Sequence, residues 1–401
     1  LREKYGEVEE IKKHNQSRVL RAFRQGGVKQ YHFHAATGYG YGDEGRQVLD
    51  RTFAGALEAE DCLVRAGIVS GTHAVSLCYF GLLRPGDELV SVTGKPYETL
   101  EKVIGLDSYS PGCLRDWGIK YRQVELTAEG KPDLGAIRQA ITPQTKVVSI
   151  QRSRGYAWRP SLAIDDIADI IKAVKQASAR AICFVDNCYG EFVEEKEPVA
   201  VGADLMAGSL LKNPGGTLAP SGGYIAGKAS LVEACAARFT APGLGRDVGA
   251  SLCDPRILFQ GLFLAPIFVA EAVKAAMFIA AFMQALGFEV SPGPQDKRTD
   301  IIQAVRLGSA ELMVSFMEAL QKASPVDAHL IPEPAELPGY EVPVIMAGGT
   351  FVAGATLEFS ADAPVAPPYA VYIQGGVDKD YARLMVVAAA EELWAKRLIK
   401  L

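Results

Sequence analysis

Between about residues 60 and 230 the chain carries short apolar runs with little regular polar alternation: DCLVRAGIV, DELVSV, KYRQVEL, KVVSIQ, RAICFVDN and ADLMAGSL. A strand with one wet face alternates, whereas a strand covered on both faces need not. Helical stretches such as DLGAIRQAI and IDDIADIIKAVKQAS lie between most of these runs. A parallel neighbour is reached only through a crossover, so this rhythm predicts an α/β fold with a mainly parallel sheet covered by helices.

The flanks differ from this middle. Residues 1–25 form a charged helical stretch, followed by the Gly/Tyr-rich loop TGYGYGDEGR. After about residue 250 come a long apolar helix, short proline-bearing strands and a closing helix, KDYARLMVVAAAEELWAKRLI. In the long segment FLAPIFVAEAVKAAMFIAAFM, Glu271 and Lys274 interrupt the apolar run, so it is expected to be a buried amphipathic helix and not a membrane span. Three regions are expected: a helical segment and loop over 1–60, a large domain over 61–250, and a smaller α+β domain over 251–401. A chain of 401 residues with 49% hydrophobic residues can bury both cores. Its net charge of −5 and lack of a basic run argue against nucleic acid or an anionic membrane as partner. Seven cysteines without a CxxC pair point to reduced thiols and a cytoplasmic location. His32 and His34 would share a face on a strand, but no third ligand accompanies them, so no metal site is expected.

Ligands of open parallel sheets bind beyond the carboxyl ends of the strands. The segments there are SGTHA, TGKPYETL, RSRGY, DNCYGE and SLLKNPGG. Ser70, Gly71, Thr72 and His73 open an apolar helix, whose free N–H groups can face a phosphate. An ordinary helix cap is the competing account. Asp186 ends an apolar strand, where a carboxylate needs a partner: a cap, a salt bridge or a heterocyclic nitrogen. Lys212 is the sole charge in GSLLKNPGGTLAPSGG, a setting expected to lower its pKa and leave part of it as free amine. Asp186 and Lys212 lie one strand–helix–strand step apart. A phosphate cradle, an aspartate for a ring nitrogen and an imine-forming lysine describe a pyridoxal 5'-phosphate site.

The order SGTHA, GDELVSVTGKPYETL, VDNCYGEF, SLLKNPGG resembles the Cys/Met-metabolism branch of fold-type-I pyridoxal phosphate enzymes. The longer segment GYGYGDEGRQVLDRTFAGALEAEDCLVRAGIVSGTHA, with QRSRGY and FQGLFLAPIFVAEAVKAAM, is similar to the methionine γ-lyase-like family, also labelled aluminium-resistance or cystathionine β-lyase-like proteins. The resemblance covers nearly the whole chain. It implies the fold-type-I pyridoxal phosphate-dependent transferase fold and a carbon–sulfur lyase that carries out β- or γ-elimination on a sulfur amino acid. It also implies a homodimer or homotetramer. Lys212 would hold the cofactor and later move the α-proton, Asp186 would pair with the ring nitrogen, and Tyr97 would stack on the ring. Gly71, Thr72 and Ser209 would bind the phosphate. Tyr41 would reach the cofactor of a neighbouring subunit. Two departures stand out. Leu211 precedes the lysine where the wider branch has threonine, and Tyr41-Gly42-Asp43 replaces a Tyr-x-Arg segment, with Arg46 as a substitute. The substrate carboxylate calls for an arginine fork, for which Arg152, Arg154 and, more remotely, Arg256 are candidates, against the alternative of solvated loop arginines. Another pyridoxal phosphate reaction on amino acids, or a non-catalytic cofactor-binding protein, stays open on the sequence.

Overall fold

The computed structural model describes residues 1–106 and 110–400. Its larger sheet has seven strands: β1 (Asp61–Arg65), β2 (Glu88–Ser91), β3 (Lys120–Gln123), β4 (Thr145–Gln151), β5 (Ile182–Asp186), β6 (Leu205–Ser209) and β7 (Gly223–Gly227). They lie in the order β3-β2-β4-β5-β6-β7-β1. The first five in that order run parallel, while β7 is antiparallel to both β6 and β1. Both faces are apolar, as non-alternating strands require. Phe184 packs on one side with Val75, Leu77 and Val232, whereas Cys183 and Val185 pack on the other with Ile167, Ile170 and Val174.

The sequence runs account for β1 to β6 but not for β7, whose glycines make GYIAG read as a loop. The glycines are there for clearance. A Cβ on Gly223 would lie 2.6 Å from Ile68, and one on Gly227 would lie 2.4 Å from the Asp204 carbonyl oxygen. Because β7 pairs antiparallel with β6, the Lys212 segment becomes the return loop over residues 210–222, at the sheet edge where β4, β5 and β6 end.

The smaller sheet comprises β8 (Glu289–Ser291), β9 (Ile302–Arg306), β10 (Val344–Ala347), β11 (Ser360–Pro364) and β12 (Ala370–Gln374). All its pairings are antiparallel, in the order β10-β11-β12-β9-β8. One face packs on helices Ala310–Lys322 and Lys379–Ala395. The other face places Ile302, Ala304 and Tyr372 against Tyr156, Trp158 and Tyr189 of the large sheet's loops. Helix Pro255–Ala285 joins the two cores: Phe259, Leu262 and Val269 enter the first, Ala275, Ile279 and Met283 the second. It is long and apolar enough to cross a membrane, but most of its apolar residues are buried inside the protein.

The amino-terminal helix, Arg2–Gly26, is latched to the segment after β5. Asn15 donates to the Phe192 carbonyl at 2.8 Å, and buried Arg18 pairs with Glu197 at 3.0 Å and Glu58 at 2.8 Å. Inside this segment the Glu191 side chain is fully buried. The Tyr224 hydroxyl donates to one of its oxygens at 2.7 Å, and the other has no partner. Burial pushes this carboxyl up to about 8, against the smaller opposing effect of the Tyr224 hydrogen bond. Folded Glu191 thus keeps its proton at pH values where the unfolded chain has released it. Stability falls as pH rises from the ordinary glutamate range toward 8, by up to about 1.4 kcal/mol per pH unit, and this contribution levels off above that. Glu191→Gln removes the dependence. The variant should therefore gain on wild type between pH 5 and pH 8 in urea midpoints. A gap that does not change with pH would contradict a buried neutral acid.

Candidate active site

The loops beyond β4, β5 and β6 and the inner face of the small sheet enclose a cavity of about 260 Å³, just below the usual small-molecule range of about 300–1,000 Å³. Ser70, Gly71, Thr72, Tyr97, Asp186, Ser209 and Lys212 all line it. Ser70 caps helix Gly71–Leu82 by accepting from the His73 N–H at 3.0 Å. Cap and cavity wall are thus one structure. Gly71 is required here, because a Cβ would lie 2.9 Å from the Cys188 sulfur. Thr72 Oγ1 lies 2.8 Å from Thr99 Oγ1 and 3.4 Å from the Tyr97 hydroxyl. Ser209 is buried, and its Oγ accepts from the Leu211 N–H at 3.2 Å.

Asp186 ends β5 with 4% exposure, and one oxygen accepts the Cys188 N–H at 3.1 Å. Burial raises its pKa; the Cys188 N–H and the Lys212 charge pull the other way. Lys212 Nζ lies 3.6 Å from the centroid of the Tyr189 ring. Burial pulls the ammonium pKa down, but Tyr189, Cys188 and Asp186 outweigh it, and the net displacement is upward. This corrects the expectation of a lowered pKa. The stretch around Lys212 is uncharged in sequence, but its neighbours in space come from the β5 loop.

Other expected site residues lie elsewhere. The His73 imidazole accepts the Val69 N–H through Nδ1 at 3.2 Å, and the His73 backbone N–H is taken by the Ser70 hydroxyl. Arg152 is fully buried, bound to Asn187 at 2.8 Å and paired with Glu194 at 2.9 Å. Arg256 is exposed and paired with Asp254 at the start of its helix. Tyr41 is 70% exposed, stacked on Tyr39 and outside the cavity. Arg46 binds the carbonyls of Gly40 and Gly249 of its own chain. Arg154 is the exception among the arginine candidates. It is 1% exposed and donates to Ser291 at 3.1 Å, while its Nε and Nη2 have no partner. It lines an annex that shares Tyr97, Glu98, Gln151, Tyr156 and Tyr340 with the main cavity.

The structure adds residues that the sequence reading missed. Tyr156 and Tyr189 sit within segments already singled out, RSRGY and DNCYGE, but no spacing marks them. Tyr340 and Asp362 come from the small domain, and only the fold brings them to the cavity.

These residues suit pyridoxal phosphate. A glycine-cleared helix start with hydroxyls beside it can take a phosphate, a buried carboxylate without a cationic hydrogen-bond partner can take a ring N–H, and a lysine opens on the same space. Sheet order and the antiparallel second sheet define the fold-type-I class of pyridoxal phosphate enzymes. The chain belongs to the methionine gamma-lyase family, whose model matches residues 1–394. That family is one of pyridoxal phosphate-dependent lyases. The chain is 51% identical over 394 residues to the uncharacterized protein YnbB of Bacillus subtilis, covering 98% of this chain and 94% of the relative. It superposes with a TM-score of 0.93 and 42% identity on a carbon-sulfur lyase involved in aluminum resistance from Clostridium novyi, covering 98% of this chain and 92% of that one. It is also 28% identical over 200 residues to L-methionine gamma-lyase of Pseudomonas putida, covering 49% of this chain and 44% of the relative.

The placement of the arginines is testable without substrate. Arg152→Ala leaves buried Asn187 Oδ1 without its donor and Glu194 with Lys297 (2.7 Å) as its remaining cation, and should cost about 1–3 kcal/mol. Arg256→Ala should leave thermal melting within about 0.5 kcal/mol of wild type. An Arg152→Ala protein of unchanged stability would contradict the structural assignment.

Proposed function

We propose that this chain is a carbon–sulfur lyase that eliminates a sulfur substituent from an amino acid of the cystathionine or methionine type. The observation that carries this reading is that Asp186 and Lys212, at the ends of neighbouring parallel strands, open on one enclosed cavity. Pyridoxal phosphate, when bound there, supplies the electron sink that makes a substrate Cα–H acidic. Lys212 would hold it through Nζ, and Asp186 would keep its ring nitrogen protonated. Tyr97 supplies an aromatic wall, while Gly71, Thr72, Ser70 and Ser209 supply the polar end for the phosphate. When the amine of the substrate takes its place on the cofactor, Lys212 would be free to take the Cα proton during turnover.

Arg154 is the arginine that the reading assigns to the substrate carboxylate. A buried guanidinium with no ion pair among the described residues and two idle nitrogens is costly unless an anion meets it. It also stands in the annex next to the cavity, where a bound amino acid extends from Lys212. The exposed Tyr39–Tyr41 pair is assigned to a second copy of the chain, against whose cavity Tyr41 would rest, in a homodimer or homotetramer. In this reading Arg46 positions that loop and does not itself bind phosphate.

A panel of cystathionine, methionine, cysteine and homocysteine with keto-acid detection tests the reaction class. Keto acid and ammonia should appear together with a thiol product. Amino-group exchange without thiol release would contradict a lyase. Asp186→Ala should lose about 10²-fold or more in kcat, because it removes charge stabilisation in a water-poor site. A near-wild-type rate would make the carboxylate structural only. Arg154→Ala should raise KM by 10-fold or more while the fold melts cooperatively; an unchanged KM would remove it from the substrate site.

A further inference from the structure

We propose that Asp362 is the acid that delivers a proton to the departing sulfur, an inference that rests on the elimination reading above. In β11 the side chains alternate between the two faces of the small sheet. Ala361 and Ala363 pack into the helix-covered core, which turns Asp362 to the opposite face, toward the large domain. There it lines the cavity at 3% exposure, and its Oδ1 is enclosed without a hydrogen-bond partner among the described residues. It has no salt bridge among the described residues, so neither a cap nor an ion pair accounts for it. Asp186 and Asp362 thus approach one space from two sheets, and only Asp186 has a ring nitrogen to serve.

The groups that act on Asp362 are Lys212, Tyr156, Tyr189 and Tyr340, with Tyr372 beside it on β12 and Glu98 elsewhere on the cavity wall. Burial pushes the Asp362 carboxyl up to about 6, against the pull of the Lys212 charge and a Tyr156 contact. When Lys212 is no longer an ammonium, that pull disappears and the neutral acid is favoured further. By contrast, burial holds the hydroxyls of Tyr97 and Tyr156 well above the ordinary phenol range. They are weak donors to a thiolate, and an acid titrating near neutrality is the better match.

The step balances as follows. Lys212, as the free amine, takes the Cα proton, and the Cα–H electron pair becomes the second bond between Cα and Cβ. The C–S bond breaks with its pair on sulfur, and sulfur takes the proton from Asp362 to leave as a neutral thiol. The proton now on Lys212 returns Asp362 to its acid form. Water then hydrolyses the released unsaturated amino acid to a keto acid and ammonia. For γ-elimination the same acid would serve sulfur at the next carbon.

The test compares a leaving group that needs a proton with one that does not. S-methyl-L-cysteine releases a thiol, while β-chloro-L-alanine releases chloride; neither carries a distal charge that Asp362 could bind instead. In Asp362→Asn, kcat with S-methyl-L-cysteine should fall about 100-fold or more, and kcat with β-chloro-L-alanine only a few-fold. Visible absorbance of the bound cofactor should titrate as in wild type. Equal losses on both substrates, or no loss on either, would overturn the proposal. Should the variant not fold, wild type still decides. With S-methyl-L-cysteine the rate should fall on the alkaline side with a limb that β-chloro-L-alanine lacks, and a limb shared by both overturns the assignment. If wild type releases no keto acid from either substrate, the elimination reading fails first, and this inference with it.

Discussion

A buried carboxylate and a half-buried ammonium that face the same cavity set the terms for the rest of this protein. An isolated buried charge of either kind is costly: Asp186 is held first by the Cys188 N–H and then by the Lys212 charge, and Lys212 by Tyr189 and Cys188 ahead of Asp186. The arrangement requires neighbouring parallel strands whose ends stop at the same height, which is what β5 and β6 provide. It also requires the chain to return along β6 after the Lys212 loop, which the glycine-built β7 allows. Behind the site, Asn187 accepts from Arg152 and donates to Glu197, while Arg18 of the amino-terminal helix grips the same glutamate. This buried network fixes the loop that carries Asp186, Cys188 and Tyr189. Its residues shape the chemistry without touching it.

The second sheet closes the space. Its helix-covered face is an ordinary apolar core, and the face turned to the large domain carries Asp362 and Tyr372. Helix Pro255–Ala285 contributes to both cores, so the two sheets share one rigid support. The cavity therefore takes Asp186, Ser209 and Lys212 from the large domain and Asp362 from the small one. In the proposed reading that division would give two carboxylates in one site different duties, set by what each one faces.

Much of this was legible in the sequence because the signals are local. Non-alternating runs marked β1 to β6, and the charge-free setting of Lys212, the terminal aspartate of β5 and the SGTHA helix start named residues that the fold brings to one cavity. Other features are properties of packing. Arg152 and Arg154 are two residues apart in one loop, yet one is consumed by Glu194 and the other is left open beside the cavity. No spacing rule distinguishes them. The raised Lys212 pKa depends on neighbours from another loop, and His73 turns back on Val69. Asp362 is one acid in a short strand, SADAP, and acquires meaning only when that strand is laid against the large domain.

The central claim is that Lys212 is the residue that holds pyridoxal phosphate. Its most direct test is borohydride reduction of the cofactor-loaded protein followed by peptide mass mapping. The account predicts a single modified peptide containing Lys212, with the modification absent from Lys212→Ala. Cofactor fixed on a different lysine, or on none, would contradict it.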